Sequence, residues 1–165
     1  MTRKLLSVAA LVVALLTLPQ LSVTAAKPSG ITDLGTLGGD YSDAFGINND
    51  PTVLQVVGQS TTADGPLHAF FWTPSGPMMD LGTLGGRDSH AEDINNHGQI
   101  VGGSEDASQQ RWAVVWTMSG GGWVVDILPT LTGACCADGR GINNGTGSDP
   151  LAVAVRQQFH QPRFR

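Results

Sequence analysis

The sequence predicts an all-β fold of blade-like antiparallel meander units, arranged propeller-like or as an open β array and left incomplete. Three observations predict it. Asp33–Gly39 reads DLGTLGG, and Asp80–Gly86 reads the same, 47 residues later. Runs of β-branched and aromatic residues alternate with turns rich in Gly, Asn, Pro and Ser. Glycine is abundant, at 22 of 165 residues, and only 14% of residues are charged, which favours turn-rich sheets over helices or disorder.

The chain opens on an export signal. Arg3 and Lys4 precede an uncharged apolar run from Leu5 to Leu18, then Pro19 and Gln20, then small residues ending at Ala25 and Ala26. A positive start, a short apolar core and an A-x-A-like end are the parts of a secretory signal peptide, and the run is shorter than a spanning helix needs. Residues 1–26 are therefore expected to be cleaved near Ala25 or Ala26, placing the mature chain outside the cell or in a periplasm. No later segment is apolar enough to span a membrane. The whole chain carries a formal charge of −5, and loss of Arg3 and Lys4 makes it more negative. With no Lys after Lys27, it is a poor match for nucleic acid, whose phosphates require clustered basic residues.

The repeat domain is expected over 27–144, with copies at about 31–79 and 80–125 and a partial one at 126–144. Ala44, Ile47, Asn48 and Asn49 recur as Ala91, Ile94, Asn95 and Asn96. Three residues are then lost from the turn. Beyond it Val57, Gly58, Ser60, Ala69 and Trp72 recur as Val101, Gly102, Ser104, Ala113 and Trp116. Such ordered matches mark a structural repeat. The third copy keeps Thr130, Leu131, Gly133 and Gly141–Asn144, after which the V-V-G-x-S run and the aromatic run are missing. Residues 145–165 form an atypical tail, read either as a terminal cap or as a truncated or out-of-frame end.

Within a copy, Ile31–Leu37 reads as a short strand. Residues 91–94 and 99–102 flank Asn95-Asn96-His97-Gly98 as a hairpin, because Asn and Gly tolerate the positive φ of tight turns. Residues 69–72 and 112–117 are further strands. About four short strands per unit is the size of a propeller blade. Propellers hold four to eight blades and this chain has two and a half. Self-association through the incomplete repeats, a longer parent protein and a small sandwich are the three ways to cover the open faces.

Taken together, D-L-G-T-L-G-G, A-x-G-I-N-N, V-V-G-x-S and His68-Ala69-Phe70-Phe71-Trp72 resemble the bacterial extracellular HAF repeat. The resemblance covers Ile31 to about Asn144. It departs at Trp112-Ala113-Val114, and the third copy never reaches the His-Ala-Phe signature. It implies an exported repeat protein and supplies no catalytic residue, cofactor or partner.

No catalytic, cofactor-binding or metal site is expected. The adjacent Cys135-Cys136 pair reads as thiols in a loop, with a strained vicinal disulfide or pairing between chains as alternatives. Asp40, Asp43, Asp50, Asp88, Glu92 and Asp93 lack the alternate spacing of a calcium loop and read as turn residues. Of His68, His90, His97 and His160, only His68 belongs to the signature, and its counterpart is Trp112, so it reads as a packing residue. Trp72, Trp112, Trp116 and Trp123 read as core rather than as a sugar-stacking platform. No nucleophile elbow or phosphate loop is present. These residues favour a secreted, non-enzymatic binding or surface-interaction module. The alternative is a fragment of a secreted propeller-type hydrolase or lyase using carboxylates such as Asp43 or Glu92, which gains ground if two carboxylates share one buried pocket.

Overall fold

The body of the DLGTLGG motif is a loop, and each of the first two sheets starts only at its last two residues. In the computed structural model Asp33 Oδ1 accepts the Gly35 N–H at 2.9 Å, and Gly35 and Gly38 take φ of 78° and 104°, where a side chain would be strained. The second copy repeats this: Asp80 Oδ1 accepts Gly82 N–H, and Gly82 and Gly85 have φ of 69° and 98°. The strand expected over Ile31–Leu37 is therefore absent. Leu37 makes only an isolated parallel bridge to Thr62, as Leu84 does to Asp106.

The structure describes residues 30–132, 134–145 and 153–159, without the side chains of Cys135 and Phe159. The expected signal peptide, 1–26, and His160 lie outside the described residues. Of the unit Met1–Thr32 only residues 30–32 are described, and Asp33–Arg165 forms a second unit.

That second unit is all-β, with no helix among the described residues. Its first sheet is a meander of β1 (Gly38–Ile47), β2 (Val56–Thr62), β3 (Leu67–Trp72) and β4 (Met79–Asp80). The second repeats the order with β5 (Gly85–Ile94), β6 (Ile100–Asp106), β7 (Arg111–Ser119) and β8 (Gly122–Ile127). All neighbouring strands are antiparallel, and the registers agree: Ile47 pairs with Val56 and Asp43 with Gln59, as Ile94 pairs with Ile100 and His90 with Gly103. Asp80 closes the first sheet and also opens the second copy of the motif. A third sheet holds two strands, β9 (Ala134–Ile142) and β10 (Val153–Phe159). The atypical tail thus supplies β10, whose pairing of Val153 with Ile142 and Arg156 with Asp138 follows the register of β2 on β1.

The sheets stack as an open array. β5 crosses the face of the first sheet, meeting β1, β2 and β3, and β9 crosses the second, meeting β5, β6 and β7. Between the first two sheets Val57, Ala69 and Phe71 pack with Ala91, Ile94, Ile100, Val114 and Trp116 in one cluster. Strand alternation sends Val56, Phe70 and Trp72 to the other face of the first sheet, where they pack with Leu34, Leu37 and Met78. Full burial of such side chains contributes about 1.5–3 kcal/mol each.

The recurring residues serve this architecture. Ser60 Oγ accepts Leu37 N–H, and Ser104 Oγ accepts Leu84 N–H, both at 2.9 Å, so each V-V-G-x-S serine fixes its own motif loop. A Cβ at Gly58 would lie 2.9 Å from Ala44 Cα, and one at Gly102 2.9 Å from Ala91 Cα, so both positions require glycine. The paired asparagines link repeats. Asn96 Oδ1 accepts the Asn49 N–H, and Asn144 Oδ1 accepts the Asn96 N–H, each at 2.8 Å. One backbone and the next side chain thus form a ladder along the end of the stack.

Candidate functional site

Where sheets one and two meet, β5 leaves a cleft of about 270 Å3 lined by Phe45, Gln59, Leu67, Asp88, Ser89, His90, Glu92 and Arg111. Its walls come from β1, β2 and β3 on one side and from β5 and β7 on the other. Ser89 and Asp88 join the two sheets at its floor: Ser89 Oγ accepts Ala69 N–H at 2.9 Å and Asp88 Oδ1 accepts Leu67 N–H at 3.0 Å.

From the lining residues His90 and Glu92 a polar network runs into the third sheet. His90 Nε2 lies 3.6 Å from Glu92 Oε1 and 3.5 Å from Asp138 Oδ1. Arg140 pairs with Glu92 and approaches Asp138 Oδ2 at 3.8 Å. Asp138 Oδ1 is buried without a hydrogen-bond partner among the described residues. Arg111 is paired with Glu105 at 3.3 Å. Burial pushes the His90 pKa below its usual 6.5; Asp138 and Glu92 pull it back up, while Arg111 and Arg140 push it further down. Gly103 makes room for this contact, since a Cβ there would lie 2.6 Å from His90 Cε1 and press on Asp138.

The two carboxylates weighed from the sequence are not brought together as a pair. Asp43 accepts the exposed Tyr41 hydroxyl at 3.1 Å, while Glu92 lines the cleft and pairs with Arg140. Asp88 and Glu92 do share the cleft, although each already has a structural partner. Asp50 is a turn residue, its pKa lowered by the Thr52 hydroxyl and N–H that it accepts. Asp93 ties sheets two and three through Ile142 N–H at 3.0 Å. Among the described residues no group of three or more His, Cys, Asp and Glu could hold a metal ion.

His68 does more than pack, since its Nδ1 lies 2.8 Å from Asp80 Oδ2 across the β3–β4 edge. Trp72 and Trp116 are buried, and Trp123 stands against Phe71 with ring centroids 5.0 Å apart. Trp112 donates Nε1–H to Asp106 at 2.8 Å, which lowers the Asp106 pKa. None of the four indoles is exposed as a platform. Both cysteines lie in strand β9 rather than in a loop, Cys136 half-buried, and the Cys135 side chain is outside the described residues.

Sequence reasoning misses the cleft because its lining does not recur. Counting along the repeat, Tyr41, Asp43 and Phe45 become Asp88, His90 and Glu92, then Cys136, Asp138 and Arg140. Gln59 becomes Gly103, and Leu67 becomes Arg111. Of the lining positions only that of Ser89 keeps its residue in the other full copy, as Ser42, and it is the one whose hydroxyl serves the scaffold. The usable signal is this contrast between constant and varied positions. No family model, no curated protein and no solved structure matches the chain.

Proposed function

We propose that the chain is a secreted, non-enzymatic binding or surface-interaction module whose recognition surface is the cleft along β5. One observation carries this reading. Constant residues such as Ser60, Gly58 and Asn49 serve the scaffold, while seven of the eight positions that line the cleft differ between the two full copies. A rigid repeated scaffold presenting varied side chains is the arrangement of repeat-built binding proteins. The N-terminal signal and the resemblance to the extracellular HAF repeat support placement outside the cell or in a periplasm.

A secreted hydrolase or lyase is the second reading, favoured by the presence of Asp88, His90 and Glu92 in one cleft. The test uses protein expressed from the full precursor and purified as the species that accumulates. Short peptides and neutral and acidic disaccharides are titrated into it while amide signals are followed by NMR. Shifts centred on His90, Glu92 and Arg111, with every probe recovered intact, are the expected result. Probe cleavage that disappears in Glu92→Gln would establish the enzyme instead, and shifts confined to other residues would remove the cleft from the proposal.

A further inference from the structure

The faces between repeats are built to one pattern, and among the described residues both halves of that pattern also stand exposed, one on β1 and one on β10. On the second sheet Ser89, Ala91 and Ile94 of β5 are buried by the first sheet, Ile94 to 4% exposure. Their counterparts on β1 are Ser42, Ala44 and Ile47, all exposed, Ile47 at 61%. At the other end of the array β10 exposes Ala154, Arg156 and Gln158, while Val153, Val155 and Gln157 on its other face are half-buried. The shared register puts Ala154 in the place of Val57 and Arg156 in the place of Gln59.

Transferring the junction of sheets one and two to these ends fixes what would meet. Val57 packs in one cluster with Ile94, so Ala154 meets Ile47. Gln59 shares the cleft with Asp88, His90 and Glu92, whose counterparts are Tyr41, Asp43 and Phe45, so Arg156 meets Asp43. Asn96 Oδ1 accepts the Asn49 N–H, so the Asn144 N–H meets the Asn49 side chain. Exposed opposite charges thus fall opposite each other at a contact whose other partners match the internal junction. We propose that a second copy of this chain stacks its β10 face on β1, head to tail, with Arg156 against Asp43. A contact of this kind either closes a ring or propagates. Two chains bring six sheets, within the four to eight of closed propellers.

The interface goes beyond the reading of the cleft and is tested without a ligand. Protein purified as above is measured by light scattering over a dilution series at low and high salt. The expected result is an assembly of two or more chains that loosens with salt, because exposed pairs are screened over about 10 Å at 0.1 M. Asp43→Arg alone and Arg156→Asp alone each weaken association about tenfold or more, through like charges set face to face. An equal mixture of the two variants, or the double variant, restores it, because every contact then carries opposite charges again. Both positions are exposed, and an unchanged circular dichroism spectrum verifies folding. A wild-type chain that is monomeric at every soluble concentration, or an assembly that the single reversals leave intact, overturns the proposal.

Discussion

Ser42 and Ser89 are the same residue of the same motif in two environments, so removing each hydroxyl isolates what the sheet-to-sheet junction contributes. Both donate to a motif carbonyl, Ser42 to Gly35 at 2.8 Å and Ser89 to Gly82 at 2.7 Å. Only Ser89 also accepts an N–H from the neighbouring sheet, that of fully buried Ala69. Ser89→Ala leaves this N–H without a partner, at a cost of about 1–3 kcal/mol, and loses an ordinary hydrogen bond worth about 1 kcal/mol. Ser42→Ala loses one exposed bond, and surface changes of that kind lie within about 0.5 kcal/mol. With a urea dependence of about 1–3 kcal/mol per molar, Ser89→Ala lowers the unfolding midpoint by about 1 M, while Ser42→Ala barely moves it. Urea titrations followed by tryptophan fluorescence read the difference. Equal shifts for the two variants would refute the claim that Ser89 joins the sheets.

The other predictions probe separate parts of the unit. His90 binds its proton more weakly in the folded chain than in the unfolded one, so the unfolded state takes up more protons just below pH 6.5. Stability therefore falls as pH drops through 6.5 towards the lower folded value, and His90→Gln flattens that slope in thermal melts run across the window. Gly102→Ala forces a Cβ onto the His90 carbonyl and Ala91 Cα, and destabilises by about 3 kcal/mol or more in chemical denaturation. Asn95, exposed to only 2%, accepts His97 and Gln99 N–H and donates to Gln99 Oε1 and Asn143 O. Asn95→Ala costs about 2 kcal/mol, and hydrogen exchange should show its effect spreading into β9.

The repeat and its turns were legible because they depend on local residues that recur. Asn95 to Gly98 forms the hairpin turn between β5 and β6, and Trp72 and Trp116 lie in the core, as their equivalence requires. The DLGTLGG motif misleads because a short apolar run ended by two glycines reads as a strand, whereas its glycines set the backbone through positive φ. β10 is hard to see because Val153–Phe159 shares no motif with β2 and matches it only in register. The cleft is hidden for a stronger reason: its walls come from two repeats, and their side chains differ from copy to copy. The contact of His90 with Asp138, 48 positions away, depends on sheet stacking that no local window contains.

The asparagine ladder gives the stack a direction. Every rung is written half in one repeat, as a backbone N–H, and half in the next, as a side-chain oxygen. No single unit therefore records how many units there are. A duplicated copy arrives with its own donor and acceptor and joins in one orientation only, so arrays of this kind can lengthen or shorten by whole repeats without any residue having to be reinvented.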